Sequence, residues 1–372
     1  MEIDDLKPHI IENPLVSVIM CVYNTQEAKL IEAMESVMAQ TINNFEFIVI
    51  EDGCGWETEM FIDIFAKKWH IERPDVPIIL VKKGENKGLA ASRNEGIRCS
   101  KGKYIYFIDS DDIMWNKCLE VMLNAVKNNP LIDIVIGNSI RGYNIDQAKY
   151  HFNTNTTVLF EPYLFDKYMA LAEICKYEEN TSGFVAKNEM QFNATWNKLY
   201  NRKIFSLIKF FEGHPHEDNY IMHEIFWNMK LGVFIPEITY FYRYGGNFAD
   251  RNLYKDDEII SANRYRLTFL QNHIDEAWTD TQDIPKRYFY WKKYLKSISM
   301  TGKEELQYII DWQILTLAYT NWRVYCETGN KDYILSAKNY LDNFKRKEIK
   351  FNYLSRVINK LYKEEFGDGS GK

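Results

Sequence analysis

Over the first 140 or so residues, short apolar runs alternate with longer segments of helical period. The runs are LVSVIMCV from Leu15, FEFIVI from Phe45, PIILV from Pro77, KYIYFID from Lys103 and IDIVIG from Ile132. Between them, helical spacing is predicted over Gln26 to Ala39, Glu57 to His70, Leu89 to Cys99 and Trp115 to Asn128. Near-continuous β-branched runs mean strands buried on both faces, so the alternation predicts a parallel α/β sheet covered by helices. Ligands of such sheets bind beyond the carboxyl ends of the strands, where VYN, EDG and DSDD all fall. From Arg141 to Tyr254 the pattern is less regular, with helices predicted over Tyr163 to Tyr177 and from Glu217. Beyond Arg251 it reads as helices: Asp257 to His273, Pro285 to Ser299, Lys303 to Thr328, Lys331 to Arg346 and Phe351 to Glu365. The implied division is a catalytic region over 14–254, a helical region over 255–366 and a flexible tail over 367–372.

Composition adds exclusions. A length of 372 residues with 46% hydrophobic content supports a sizeable core, and a net charge of −6 argues against nucleic acid as the main partner. Six cysteines without CxxC spacing fit reduced thiols better than a disulfide framework or a zinc site. No stretch approaches a membrane span and no signal-like segment opens the chain, so a cytoplasmic protein is expected.

The chemistry concentrates in Asp109, Ser110, Asp111 and Asp112. Strand alternation would bring the Asp109 and Asp111 carboxylates together, tolerable if they hold a divalent cation, with hard oxygen ligands favouring Mg²⁺ or Mn²⁺. The alternative is an acidic turn in which Asp112 caps the next helix. Glu217 and Asp218 open a predicted helix, where acidic residues are also favoured by the helix dipole alone.

Taken together, PLVSVIMCVYN, NFEFIVIEDG, NKGLAASRNEGI, SKGKYIYFIDSDD, HEDN and YFYRYGGN resemble, in order and spacing, the family 2 inverting glycosyltransferases of the GT-A fold (a Rossmann-like mixed sheet). The resemblance is close over 14–116, looser to about 245 and absent beyond. It implies that Val22, Tyr23 and Asn24 line a uridine pocket and that Asp52 accepts a hydrogen bond from the nucleobase imide. It places Lys87, Gly88, Arg93 and Asn94 beside the donor, Asp109 at ribose or metal-bound water, and Asp111 as the metal ligand at the diphosphate. Asp218 matches the general base, with Glu217 beside it. Trp196, Asn197 and Lys198 match a segment framing the acceptor, and Arg243 matches an arginine that clamps diphosphate or acceptor, or forms a structural pair.

The activity implied is metal-dependent, inverting, non-processive transfer from a nucleotide-sugar, UDP-linked for preference, to a hydroxyl of a glycan or lipid-linked glycan, as in assembly of a bacterial surface polysaccharide or oligosaccharide. The alternatives are a nucleotidyltransferase and an inactive nucleotide-sugar-binding protein. Aromatic and basic residues in KRYFYWKKYLK and in the last helix leave open peripheral contact with the inner face of the membrane, or homo-oligomerisation, through the C-terminal helices.

Overall fold

A computed structural model describes residues 13–154, 161–175, 192–245, 254–277, 281–283, 299–344 and 352–367. These fall into two compact units, the first running to Lys167 and resuming over 192–245, the second comprising 168–175 and the chain from 254 onward.

The first unit is built on a sheet of nine strands among the described residues: β1 (Val16–Val22), β2 (Phe45–Glu51), β3 (Ile78–Lys82), β4 (Tyr104–Asp109), β5 (Ile113–Met114), β6 (Ile132–Gly142), β7 (Tyr163–Phe165), β8 (Lys198–Asn201) and β9 (Leu231–Arg243). Their order is β3-β2-β1-β4-β8-β6-β9-β5, with β7 also on β9. The four apolar runs that begin the chain form a parallel β3-β2-β1-β4 block, in which β2 is wholly buried and β3, at the edge, is partly exposed. The fifth run, β6, does not join that block directly. The short β8 inserts antiparallel to both β4 and β6, making the sheet mixed. Because two antiparallel pairings restore direction, β6 and its parallel partner β9 end at the same edge as β1, β2 and β4.

The helices α1 (Glu27–Met38), α2 (Trp56–Glu72), α3 (Leu89–Cys99) and α4 (Cys118–Lys127) connect the first strands, and α5 (Ile145–Thr154) follows β6. Tyr163 to Phe165 is a strand rather than the start of a helix: it pairs antiparallel with β9, and Tyr163 stacks on Phe234 at 5.3 Å. The helix begins only at α6 (Lys167–Cys175), and α7 (Glu217–Asn228) completes the first unit.

In the second unit the Ile174 carbonyl of α6 accepts from the Arg266 guanidinium (2.7 Å) and the Cys175 carbonyl from Thr316 (3.1 Å), which ties α6 to the C-terminal helices. These are α8 (Tyr254–Asn272), α9 (Gly302–Thr328), α10 (Lys331–Asp342) and α11 (Asn352–Phe366), with a small β10–β11 hairpin (Thr281–Asp283 and Ser299–Thr301). A capping box, in which Thr301 and Glu304 exchange hydrogen bonds, starts α9. Trp312, Leu315, Ile334, Leu354 and Ile358 form the core of α9 to α11. The helix expected over Pro285 to Ser299 lies outside the described residues except for Ser299, which belongs to β11, and all of KRYFYWKKYLK and the tail after Gly367 lie outside them too. None of the six cysteines forms a disulfide, and no described helix is long and apolar enough to cross a membrane.

Candidate active site

The site lies along the shared carboxyl edge of the first unit. Val22 at the end of β1 is fully buried, so its side chain belongs to the core, and its carbonyl accepts from the Asp52 N–H at 3.0 Å. Tyr23 is exposed and Asn24 turns the chain with φ 49°. Asp52, just past β2, is buried, and its carboxylate is held from three directions. Oδ1 takes Lys83 Nζ at 2.8 Å and the Lys87 N–H at 3.0 Å, while Oδ2 takes the Gly88 N–H at 2.9 Å. Oδ2 therefore keeps one acceptor direction for a ligand N–H. Gly88 precedes α3 with φ 87°, and a Cβ on Gly53 would meet the Asn86 nitrogen at 2.4 Å, so both glycines are required for the loop to close on Asp52. Lys87 contributes through its backbone; its ammonium is exposed beside Glu85. Lys83 is absent from the sequence reading, although its place at the end of β3, level with Asp52, was the available signal.

The acidic cluster is made by a turn and not by strand alternation. β4 ends at Asp109, and the Asp112 N–H returns to the Asp109 carbonyl at 3.2 Å. Ser110 Oγ meets Thr25 Oγ1 at 2.5 Å, tying the turn to the chain after β1. Burial raises Asp109 to about 6, helped by the charges of Asp111 and Glu217 and opposed by Arg93. Burial also raises Asp111, with Lys29 and Arg243 pulling it back, and no side chain among the described residues hydrogen-bonds its carboxylate. A desolvated carboxylate that no described side chain hydrogen-bonds, beside a second carboxylate, is a fitting hard-oxygen donor set for a divalent cation that retains other positions for water and phosphate. Among the described residues there is no cluster of three or more potential ligands.

Asp112 is not a helix cap. The helix α4 starts at Cys118 with Lys117 in the cap position, whereas Asp112 is buried and accepts from Tyr240 Oη and the Arg243 N–H, both at 2.7 Å. Burial and the neighbouring carboxylates push it well above the usual range.

Arg93 joins the two halves of the site. It is buried over Phe107 and Phe210, donates to Asp109 at 3.1 Å and forms a second ion pair with Glu217. Glu217 and Asp218 open α7, directly after His216, which adopts φ 58°, a strained conformation for a residue with a Cβ. Asp218, half-buried, is raised to about 7 by burial and then by the Glu217 charge, with Arg93 opposing.

The remaining candidates separate into structural and site-facing groups. Asn94 holds the Phe210 carbonyl at 3.0 Å and Glu212 at 2.8 Å, anchoring the loop ahead of α7. Asn197, at φ 57°, bonds Thr239 and the Gly137 and Asn138 carbonyls. Lys198 is wholly buried on the Ala194 carbonyl, and burial lowers it to about 7, with Asp218 opposing. Trp196 stacks on Tyr240 at 4.6 Å. Arg243 is buried against Glu32 of α1 at 2.6 Å, a structural pair beside Asp111.

A family model described as Glycosyl transferase family 2 matches residues 17–208. The glycosyltransferase GlyG of Streptococcus pneumoniae serotype 4 is 30% identical over 230 residues, 62% of this chain and 70% of GlyG. GlyA of the same organism is 27% identical over 265 residues, 69% of this chain, but the chain covers only 35% of GlyA. Among solved structures, S. aureus TarS 1-349 in complex with UDP-GlcNAc superposes with a TM-score of 0.50 at 15% identity, covering 94% of this chain and 92% of that one. At that identity the likeness is one of fold.

Proposed function

The chain belongs to glycosyl transferase family 2 and is a glycosyltransferase, and from that premise we propose that it transfers a sugar, with inversion, from a UDP-sugar to a hydroxyl of a glycan acceptor. The observation that carries this reading is the Arg93 bridge, which sets Asp109 and the Glu217–Asp218 pair around one centre although they lie far apart in the chain. A nucleotide-sugar, the ligand class of the TarS complex, fits a site with an imide acceptor at Asp52 and carboxylates at Asp109 and Asp111.

Asp52 Oδ2 accepts the uracil imide N–H and Tyr23 offers a ring face to the base. Asp111, with Asp109, would hold a divalent cation, which when bound supplies positive charge against the diphosphate leaving group. Asp218 accepts the proton of the acceptor hydroxyl as that oxygen bonds to the anomeric carbon. The bond from that carbon to the diphosphate oxygen breaks, and its electron pair leaves with UDP. One sugar is added per encounter. Catalysis is assigned to the region 14–254, with the helices beyond as an appendage.

The test is a UDP-sugar panel assayed for UDP release with Mn²⁺ or Mg²⁺ and with EDTA. Metal-dependent release from one donor, lost in Asp111→Asn, is expected. In transfer assays with that donor, Asp218→Asn should abolish product. Release from no donor, or undiminished transfer by Asp218→Asn, would overturn the reading.

A further inference from the structure

Aromatic rings continue the site outward on the side away from Asp52. Trp196 stacks on Tyr240 and, at 5.6 Å, on Tyr242; Tyr242 meets Tyr244 edge-on at 6.4 Å, and Tyr244 lies 5.0 Å from Tyr143. Alternation along β9 puts Tyr240 and Tyr242 on one face, Tyr244 follows directly after the end of the strand at Arg243, and the parallel register of Gly142 with Arg243 sets Tyr143 beside Tyr244. Exposure climbs along the row, from 0% at Tyr240 to 40% at Tyr244 and 70% at Tyr143. The inner end is fastened to the reaction centre, because Tyr240 Oη donates to Asp112 and the charges of Asp112, Asp109 and Asp111 act on the Tyr242 phenol.

Two large rings set against each other at 41° in solvent bury little, so packing does not account for them. Arg141 lies over the Tyr242 ring at 5.6 Å, adding donors to the aromatic faces. Ring faces interleaved with a guanidinium and phenol hydroxyls suit a pyranose, whose C–H face is apolar and whose rim is hydroxyls; an acyl chain would be better served by aliphatic side chains without polar tips. In the sheet order, the strand that leads to Asp52 lies on the opposite side of β4 from β6 and β9, which leaves this row to the acceptor.

We propose that Tyr242, Tyr244 and Tyr143, with the buried Trp196 backing Tyr242, form a saccharide-binding track that holds the sugar units of the acceptor next to the one being glycosylated. The inference rests on the glycosyltransferase reading above and adds to it a preference for oligosaccharide over monosaccharide acceptors.

The test measures binding of mono- to tetrasaccharides of β1,4-linked N-acetylglucosamine and of α1,4-linked glucose to the full chain by saturation-transfer NMR, with UDP present. In at least one series affinity should rise about tenfold from mono- to tetrasaccharide. The rise should flatten to within about twofold in the double variant Tyr143→Ala/Tyr244→Ala and persist in Tyr143→Phe/Tyr244→Phe, because the ring face does the binding. Unchanged thermal unfolding of both double variants serves as the folding control. Flat affinity in both series, a rise kept by the alanine variant, or octyl glycosides whose binding follows the alkyl chain and not the saccharide length would each overturn the track. The donor panel run alongside separates the two readings: no UDP release with length-dependent binding intact removes the activity and leaves the track.

Discussion

The Arg93 guanidinium, carried by α3 where it packs on β1 and β2, lies 3.1 Å from the Asp109 carboxylate at the end of β4. Its other edge holds Glu217 on α7, so one buried cation serves a carboxylate from each half of the site. Burial and the neighbouring carboxylates raise both Asp109 and Asp218, and the Arg93 charge opposes them at each.

Removing that cation should be costly. Arg93→Ala leaves buried carboxylates unpaired and is expected to destabilise the fold by about 3–5 kcal/mol, measured by urea unfolding at pH 7.5. Arg93→Ala combined with Glu217→Gln should recover part of the loss. Equal stability of the single and double variants would mean the pair is not coupled.

The Asp218 value of about 7 sets a pH dependence. Below that pH the carboxyl is protonated and cannot accept the hydroxyl proton, so kcat/KM should rise through pH 7 and level off about one unit above it. Glu217→Gln removes a repulsion and should move the limb to lower pH. A wild-type limb near 4 would show that the site does not tune its base.

The stability effect of the same group follows from its binding a proton more tightly in the folded than in the unfolded state. Its contribution is therefore best at low pH and is lost as pH rises from the unfolded value toward about 7. Asp218→Asn should raise the melting temperature, and by more at pH 8 than at pH 5. A gain that is the same at both pH values would count against the shift.

Lys198, lowered to about 7, works in the opposite sense on charge: the unfolded chain binds its proton more tightly, so stability rises with pH between about 7 and the ordinary lysine value. Lys198→Met should therefore gain most, relative to the parent, at pH 6 and least near pH 10. Melting curves across that range decide it.

Asp112 is expected to matter for the fold more than for metal binding. Asp112→Ala strands the Tyr240 hydroxyl and the Arg243 N–H, at about 1–3 kcal/mol for each buried group left unsatisfied. Asp112→Asn keeps one acceptor and should cost clearly less. Calorimetric Mn²⁺ titration of the Asn variant should resemble the parent, in contrast to Asp111→Asn.

The βαβ half of the fold is legible in the chain alone, because apolar β-branched runs such as FEFIVI, alternating with segments of helical period, read as strands buried on both faces. The sequence also placed Asp52, Asp109, Asp111 and Asp218 at the ends of elements where chemistry is possible. Tertiary structure decided what pairing and burial control. The insertion of β8 between β4 and β6 involves a four-residue segment with no period to read. Arg93 has the spacing of any helix charge until Glu217 and Phe210 close over it, and Asp112 looks like a cap until β9 supplies its donors. The Asp218 shift depends on the solvent removed around it and on a neighbour's charge, quantities that arise only when distant segments meet.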